Sequence, residues 1–243
     1  MSLIVLATDF GLEGPYTGQM KAVLAARAPG VPVVDLFADL PPFRARSAAY
    51  LLAAYAPVFG PEAVFLAVVD PGVGTDRAAV VVEADGQRFV GPDNGLFQLV
   101  WRRAAKRHVW RLPGSGHTLS ASFHGRDLFA PVAADLAAGR PLKAAPGALE
   151  VGRDWPDDLP EIVYADRYGN AMTGLRAAAL GHGDRLSVGG HELGWARVFG
   201  EVPVGRGFWY ANANGLVEVA VNQGRAVDVL GLAVGQEVAV RRG

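Results

Sequence analysis

Hydrophobic positions fall first in short continuous runs. Residues 3–8, LIVLAT, are apolar throughout and end at Asp9-Phe10-Gly11, and residues 17–28 then place Met20, Val23 and Leu24 at helical spacing. The order strand, loop, helix recurs. Residues 33–37 predict a second strand entered through Pro32, 44–55 a helix, 63–69 a third strand, and 78–83 a fourth after a Gly-rich loop. Residues 88–91 then predict a short strand, 95–105 a helix, and 127–138 a further helix ending before Gly139. Strand runs without polar alternation are buried on both faces, and their alternation with helices predicts an open, mainly parallel α/β sheet.

The pattern changes after residue 140. Residues 141–160 are dense in Pro, Gly and Asp and carry no sustained period, the composition of a linker. Beyond them, 162–165, 185–188, 207–211, 216–221 and 237–240 are short runs separated by Gly and Asn turns, which suggests a small β-barrel or sandwich. The expected organisation is an N-terminal α/β domain over 1–145, a linker over 146–160 and a smaller C-terminal β-barrel domain over 161–243.

Composition narrows the chemistry. The 243 residues are 51% hydrophobic, enough to bury a core in two domains of unequal size. Lys+Arg 23 against Asp+Glu 24 leaves no excess cation to neutralise backbone phosphates, which disfavours a nucleic-acid partner. With no cysteine there is neither a disulfide framework nor a thiolate nucleophile, and the five histidines show no metal-ligand spacing, so no metal site is expected. No basic leader precedes the first apolar run and no run reaches 18 residues, which predicts a soluble, cytoplasmic protein without a membrane partner.

In open α/β sheets ligands bind beyond the carboxyl ends of the strands. Asp9 follows the first strand run and Asp70 the third, where it begins the loop Asp70-Pro71-Gly72-Val73-Gly74-Thr75-Asp76-Arg77. Alone, such an aspartate is more often a turn or cap residue. The Gly72 and Gly74 pair lacks the third glycine and the following helix of a dinucleotide loop. Arg77, seven residues on, reaches Asp70 if the loop folds back, and His124 directly precedes a helix. Carboxylate, guanidinium and imidazole are thus expected at one rim of one sheet. In the second domain, 166–170 and 212–215 read as hairpin turns, while Tyr168, Phe199, Phe208, Tyr210 and Asn170 could give a purine an aromatic slot and an amide.

Seven segments in order make the residues more specific. They are Thr8-Asp9-Phe10-Gly11, Pro15-Tyr16 with Gly18-Gln19-Met20-Lys21, Asp70-Pro71-Gly72-Val73-Gly74, Gly91-Pro92-Asp93-Asn94-Gly95-Leu96, Phe123-His124-Gly125-Arg126-Asp127, Asp166-Arg167-Tyr168-Gly169-Asn170, and 216–224. Across nearly the whole chain they resemble the S-adenosyl-L-methionine hydroxide adenosyltransferases, the adenosine-forming SAM hydrolases related to fluorinase and chlorinase. The resemblance implies an N-terminal α/β domain and a C-terminal β-barrel. It also implies a homotrimer with sites at subunit interfaces, S-adenosyl-L-methionine as substrate, and no further cofactor.

The family's water-positioning Asp, Arg and His correspond to Asp70, Arg77 and His124. The resemblance further implies Asp9 on the ribose hydroxyls, Phe43 against the sugar, Asp166 on the methionine ammonium, and Tyr168, Asn170 and Phe199 around adenine, with Asn222 and Gln223 near the base. Gly14 and Ala213 stand where many relatives carry an Asp and a Ser for the methionine end, and Glu13 and Asn214 are the neighbours able to substitute. The halogenating relatives carry tyrosine at the position of Asp70, and a carboxylate there would repel a halide. Hydrolysis of the substrate to adenosine and L-methionine is therefore the expected reaction. A halide-dependent 5′-halo-5′-deoxyadenosine synthase and a non-catalytic adenosine or SAM sensor are the alternatives.

Overall fold

The computed structural model describes residues 2–113 and 120–243 and separates into two compact units, Met1–Asp154 and Trp155–Gly243. The first unit opens with β1 (Leu3–Thr8), α1 (Tyr16–Arg27), β2 (Val33–Phe37), α2 (Ala45–Tyr55) and β3 (Ala63–Val68). It continues through β4 (Ala79–Ala84), β5 (Gln87–Pro92), α3 (Gln98–Arg103), β6 (Arg107–Arg111), α4 (Ala130–Ala137) and the two-residue β7 (Ala145–Pro146). Seven strands form one sheet in the order β2-β1-β3-β5-β4-β6-β7.

The sheet is mixed, and this corrects the mainly parallel expectation. β2, β1, β3 and β5 run parallel, whereas β4, β6 and β7 join antiparallel. The reversal begins at a two-residue hairpin, with Ala84 opposite Gln87 and Asp85 and Gly86 at φ 50° and 93°. Asp-Gly suits that turn because both central residues need positive φ. One helix is shorter than the pattern suggests, 95–105 containing only α3, whereas the expected 127–138 is helical up to Ala137, a wider π-helical turn over Gly125–Phe129 running directly into α4.

One face of the sheet buries Ile4, Leu6, Val64 and Leu66 against Met20 and Leu24 of α1 and Ala133 and Leu136 of α4. The opposite face carries the stacked rings of Phe65 and Phe89, 4.7 Å apart. Both faces are therefore covered, which is why β1 and β3 read as unbroken apolar runs.

The second unit contains β8 (Leu159–Ala165), β9 (Ala171–Arg176), β10 (Arg185–Val188), β11 (His191–Leu193), β12 (Gly207–Ala211), β13 (Leu216–Val221) and β14 (Ala239–Arg241). They form a four-stranded sheet, β12-β13-β9-β8, and a three-stranded sheet, β11-β10-β14. Bridges from Glu161 to Glu237 and from Trp195 to Trp209 join the two pairs of edges, so the sheets close into a small barrel. Its interior holds Ile162, Leu186, Trp209, Val217, Val219 and Val221. Closure removes the exposed edges that short antiparallel sheets otherwise present. Among the described residues, no helix is long and apolar enough to cross a membrane.

Candidate active site

β1 and β3 are parallel neighbours with Thr8 opposite Val68, so Asp9 and Asp70 emerge side by side at one rim. Asn94, just past β5, helps to fix that rim by donating from Nδ2 to the Val69 carbonyl at 2.7 Å. The loop after Asp70 then folds back through turns in which the Val73 N–H donates to the Asp70 carbonyl and the Thr75 hydroxyl to that of Gly72, at 3.3 and 2.7 Å. At its bend Gly74 has φ +81°, and a Cβ there would lie 2.5 Å from the Ala121 carbonyl oxygen. Glycine is required on both counts, and the close approach brings this loop against the segment that carries His124.

Folding back places Arg77 on Asp70. Its Nε donates to Oδ1 at 2.8 Å and its Nη2 to Oδ2, a two-point pair in which the Arg77 and Asp70 side chains are 11% and 5% exposed. Nη2 also lies 3.2 Å from Nδ1 of His124, and the guanidinium carbon sits 5.1 Å from the centre of the Phe129 ring. A guanidinium only donates, so Nδ1 is the acceptor and the proton of the neutral imidazole is on Nε2. Burial, and then the positive charge of Arg77, push the His124 pKa below the usual imidazole value, against the opposing pull of Asp70 and Asp127.

Asp9 is half-buried, and burial raises its pKa above the ordinary carboxylate value. The Phe43 N–H, donated to Oδ2 at 3.2 Å, lowers it in part, and the charge of Asp70 raises it. Phe43 has φ 62° and its ring is exposed, an arrangement that costs a bulky residue of order 1–3 kcal/mol and clusters at functional sites. A cleft of about 410 Å³ opens beside the triad, lined by Phe10, Tyr16, Asp70, Val73, Phe123 and His124. The three rings pack edge-on or tilted with centroids 5.3–6.0 Å apart.

In the second unit, Asp166 accepts from the backbone N–H and Nδ2 of Asn170 at 2.8 and 3.1 Å, ordering the turn between β8 and β9. Phe199 packs against Phe208 and Tyr210 at 5.1 and 5.5 Å. Asn214 lies in the turn between β12 and β13, and its N–H donates to Oδ1 of Asn212. The Asn222 amide is occupied by the Val202 carbonyl at 2.6 Å, Gln223 has φ 55°, and Tyr168 is exposed. Asn94 and a buried glutamate, Glu218, lie in segments the sequence singles out, but neither had a role assigned from the sequence. A lone acid in the apolar run LVEVAV was the available signal for the second.

The SAM hydroxide adenosyltransferase N-terminal domain matches residues 4–146 and the C-terminal domain of the same family matches residues 160–239. The chain belongs to the SAM hydroxide adenosyltransferase family. An (R)-S-adenosyl-L-methionine hydrolase of Thermus thermophilus is 45% identical to this family member over 262 aligned residues, covering 98% of this chain and 99% of that one. A fluorinase of Actinopolyspora mzabensis is a more distant relative of this adenosyltransferase-family chain, 24% identical over 290 residues and covering 99% and 97% of the two. The crystal structure of a conserved protein from Thermotoga maritima superposes with a TM-score of 0.87 at 32% identity, covering 99% of this chain and all of that one.

Proposed function

We infer that this chain is a SAM hydrolase that converts S-adenosyl-L-methionine to adenosine and L-methionine, with Asp70, Arg77 and His124 ordering the attacking water. The observation that carries the catalytic assignment is the buried contact of Arg77 with both Asp70 and His124 at a strand-end rim. Near-full-length similarity to a named (R)-SAM hydrolase supports the activity, and the same sulfonium epimer is the substrate proposed here.

The reaction forms a C5′–O bond and breaks the C5′–S bond. Sulfur keeps the bonding pair and leaves as the neutral thioether of methionine, so no general acid is needed, and one proton is released. The protein's task is the nucleophile. Water accepts a hydrogen bond from His124 Nε2–H, donates one to Asp70 and keeps a lone pair for in-line attack, while Arg77 holds both partners in place. Each Asp70 oxygen retains acceptor capacity beyond its bond to Arg77. Asp9 binds the ribose hydroxyls with Phe43 against the sugar. Asp166 and Asn214 hold the methionine end, Tyr168, Asn170 and Phe199 surround adenine, and the backbone at Asn222 and Gln223 meets the base. The proposed assembly is a cytoplasmic homotrimer in which a neighbouring copy completes each site.

A carboxylate at the nucleophile position separates this reading from halide chemistry, because it attracts the hydrogens of water and repels an anion. Incubation with the substrate, with and without fluoride or chloride, followed by chromatography tests it. Adenosine and methionine in all samples support hydrolysis. A halo-adenosine that appears only with halide would make the chain a halogenase, and saturable binding without turnover would make it a sensor.

A further inference from the structure

Glu218 lies in the middle of β13, where Val217, Val219 and Val221 point into the barrel interior. Strand alternation sends Glu218 and Ala220 to the other face, yet Glu218 is only 3% exposed. Burial of its carboxyl raises its pKa, the charge of Asp166 raises it further, and hydrogen bonds from Tyr210 and Asn212 lower it. An acid in this position is costly for a barrel to keep, since an apolar residue of similar size would avoid the desolvation.

Its two oxygens lead in different directions. Tyr210, the cross-strand partner on β12, donates its hydroxyl to Oε1, and Nδ2 of Asn212 donates to Oε2 at 2.9 Å. The Tyr210 ring packs against Phe199 and Phe208, with centroids 5.5 and 5.7 Å away. Asn212 in turn uses Oδ1 to accept from the N–H groups of Asn214 and Leu216, each at 3.0 Å, which fixes the turn between β12 and β13. One carboxylate thus ties an aromatic cluster to a turn, and the ends of that network are Phe199 and Asn214.

We propose that Glu218 is a positioning residue for substrate, locking the aromatic wall at Phe199 and the Asn212–Asn214 turn into one rigid surface. The proposal rests on the reading that Phe199 and Asn214 contact the two ends of S-adenosyl-L-methionine. Because those contacts exist before the chemical step, losing the tether weakens binding and leaves turnover of bound substrate nearly intact.

The experiment measures kcat, KM and the calorimetric Kd for S-adenosyl-L-methionine in wild type, Glu218→Leu, Glu218→Gln and Asn212→Ala, with thermal melting in parallel. Leucine removes both acceptors without a buried charge. Because it also leaves the Tyr210 hydroxyl and the Asn212 amide without their acceptor, it is expected to lower the melting temperature modestly and to raise KM and Kd about tenfold or more, with kcat within about threefold. Glutamine accepts from Asn212 and donates to the Tyr210 oxygen, so most of the affinity returns. Asn212→Ala, which cuts only the turn side, reproduces a rise in KM even if the leucine variant fails to fold. A folded leucine variant with wild-type KM and Kd, or an Asn212→Ala variant with wild-type values, overturns the proposal. Wild-type protein that binds the substrate without forming adenosine would refute the hydrolase reading alone, because Kd still reports on the tether. Wild-type protein that does not bind it at all would overturn both.

Discussion

Replacing Asp70 removes the group proposed to activate water while leaving the proposed contacts to ribose, adenine and methionine in place. Its side chain is 5% exposed and both oxygens are engaged by Arg77, so the carboxylate is held in a fixed position. General-base assistance of this kind contributes roughly 10²–10⁴ in rate. Asp70→Ala should therefore lower kcat by about 10² to 10³, equivalent to roughly 3–4 kcal/mol of barrier, with Kd changed only a few-fold. Alanine also strands the buried Arg77 guanidinium, and breaking a fully buried pair costs about 3–5 kcal/mol. Asp70→Asn is the companion variant, since it keeps one oxygen for Nε of Arg77 and still lacks the base. The assay follows adenosine by chromatography and substrate affinity by calorimetry, with melting curves for both variants. A folded Asp70→Asn enzyme within tenfold of wild-type kcat would refute the reasoning.

His124 titrates below the ordinary imidazole value of about 6.5, because its burial and Arg77 disfavour the imidazolium. The acid limb of the kcat profile should therefore lie below that value and move upward in Arg77→Gln; an unmoved limb would dissociate the pair. The same depressed value makes the unfolded chain take up the proton first, so this histidine's contribution to stability declines as pH falls from about 6.5 through its folded pKa, which melting against pH detects. Asp9→Ala should weaken substrate binding first, by about 10- to 100-fold in Kd, because the proposed ribose contacts would exist in the ground state and the Phe43 N–H loses its acceptor; unchanged affinity by calorimetry would remove Asp9 from the site. Gly74→Ala places a Cβ 2.5 Å from the Ala121 carbonyl oxygen in a backbone with φ +81°, so both melting temperature and kcat should fall. Wild-type values for both would show that the loop is not held as described.

The rim chemistry was legible because β1 and β3 are buried on both faces and stop abruptly at polar residues, which exposes Asp9 and Asp70 to the strand-end rule. The same double burial hid the direction of β4 and β5. Their apolar content resembles that of parallel strands, and the Asp85-Gly86 turn between them, the available hairpin signal, went unread. β6 was missed because only Val109 of its five residues is buried, and β9 because Thr173 and Gly174 interrupt its apolar run. In the site, the spacing of Asp70 and Arg77 suggested contact, whereas the approach of His124 from 47 residues away depends on how Gly74 meets Ala121. Glu218 was unreadable for another reason. Its partners Tyr210 and Asn212 are set by the register of β12 against β13, which hydrophobic pattern alone does not specify.

Hydrolysis in water enriched in ¹⁸O tests most directly that solvent attacks the sugar carbon. Mass spectrometry after a single turnover should find one heavy oxygen in adenosine, at the 5′ position, and none in the released methionine. Unlabelled adenosine, or label in an amino-acid product beside a thioether nucleoside, would contradict attack at C5′ and the role assigned to Asp70, Arg77 and His124.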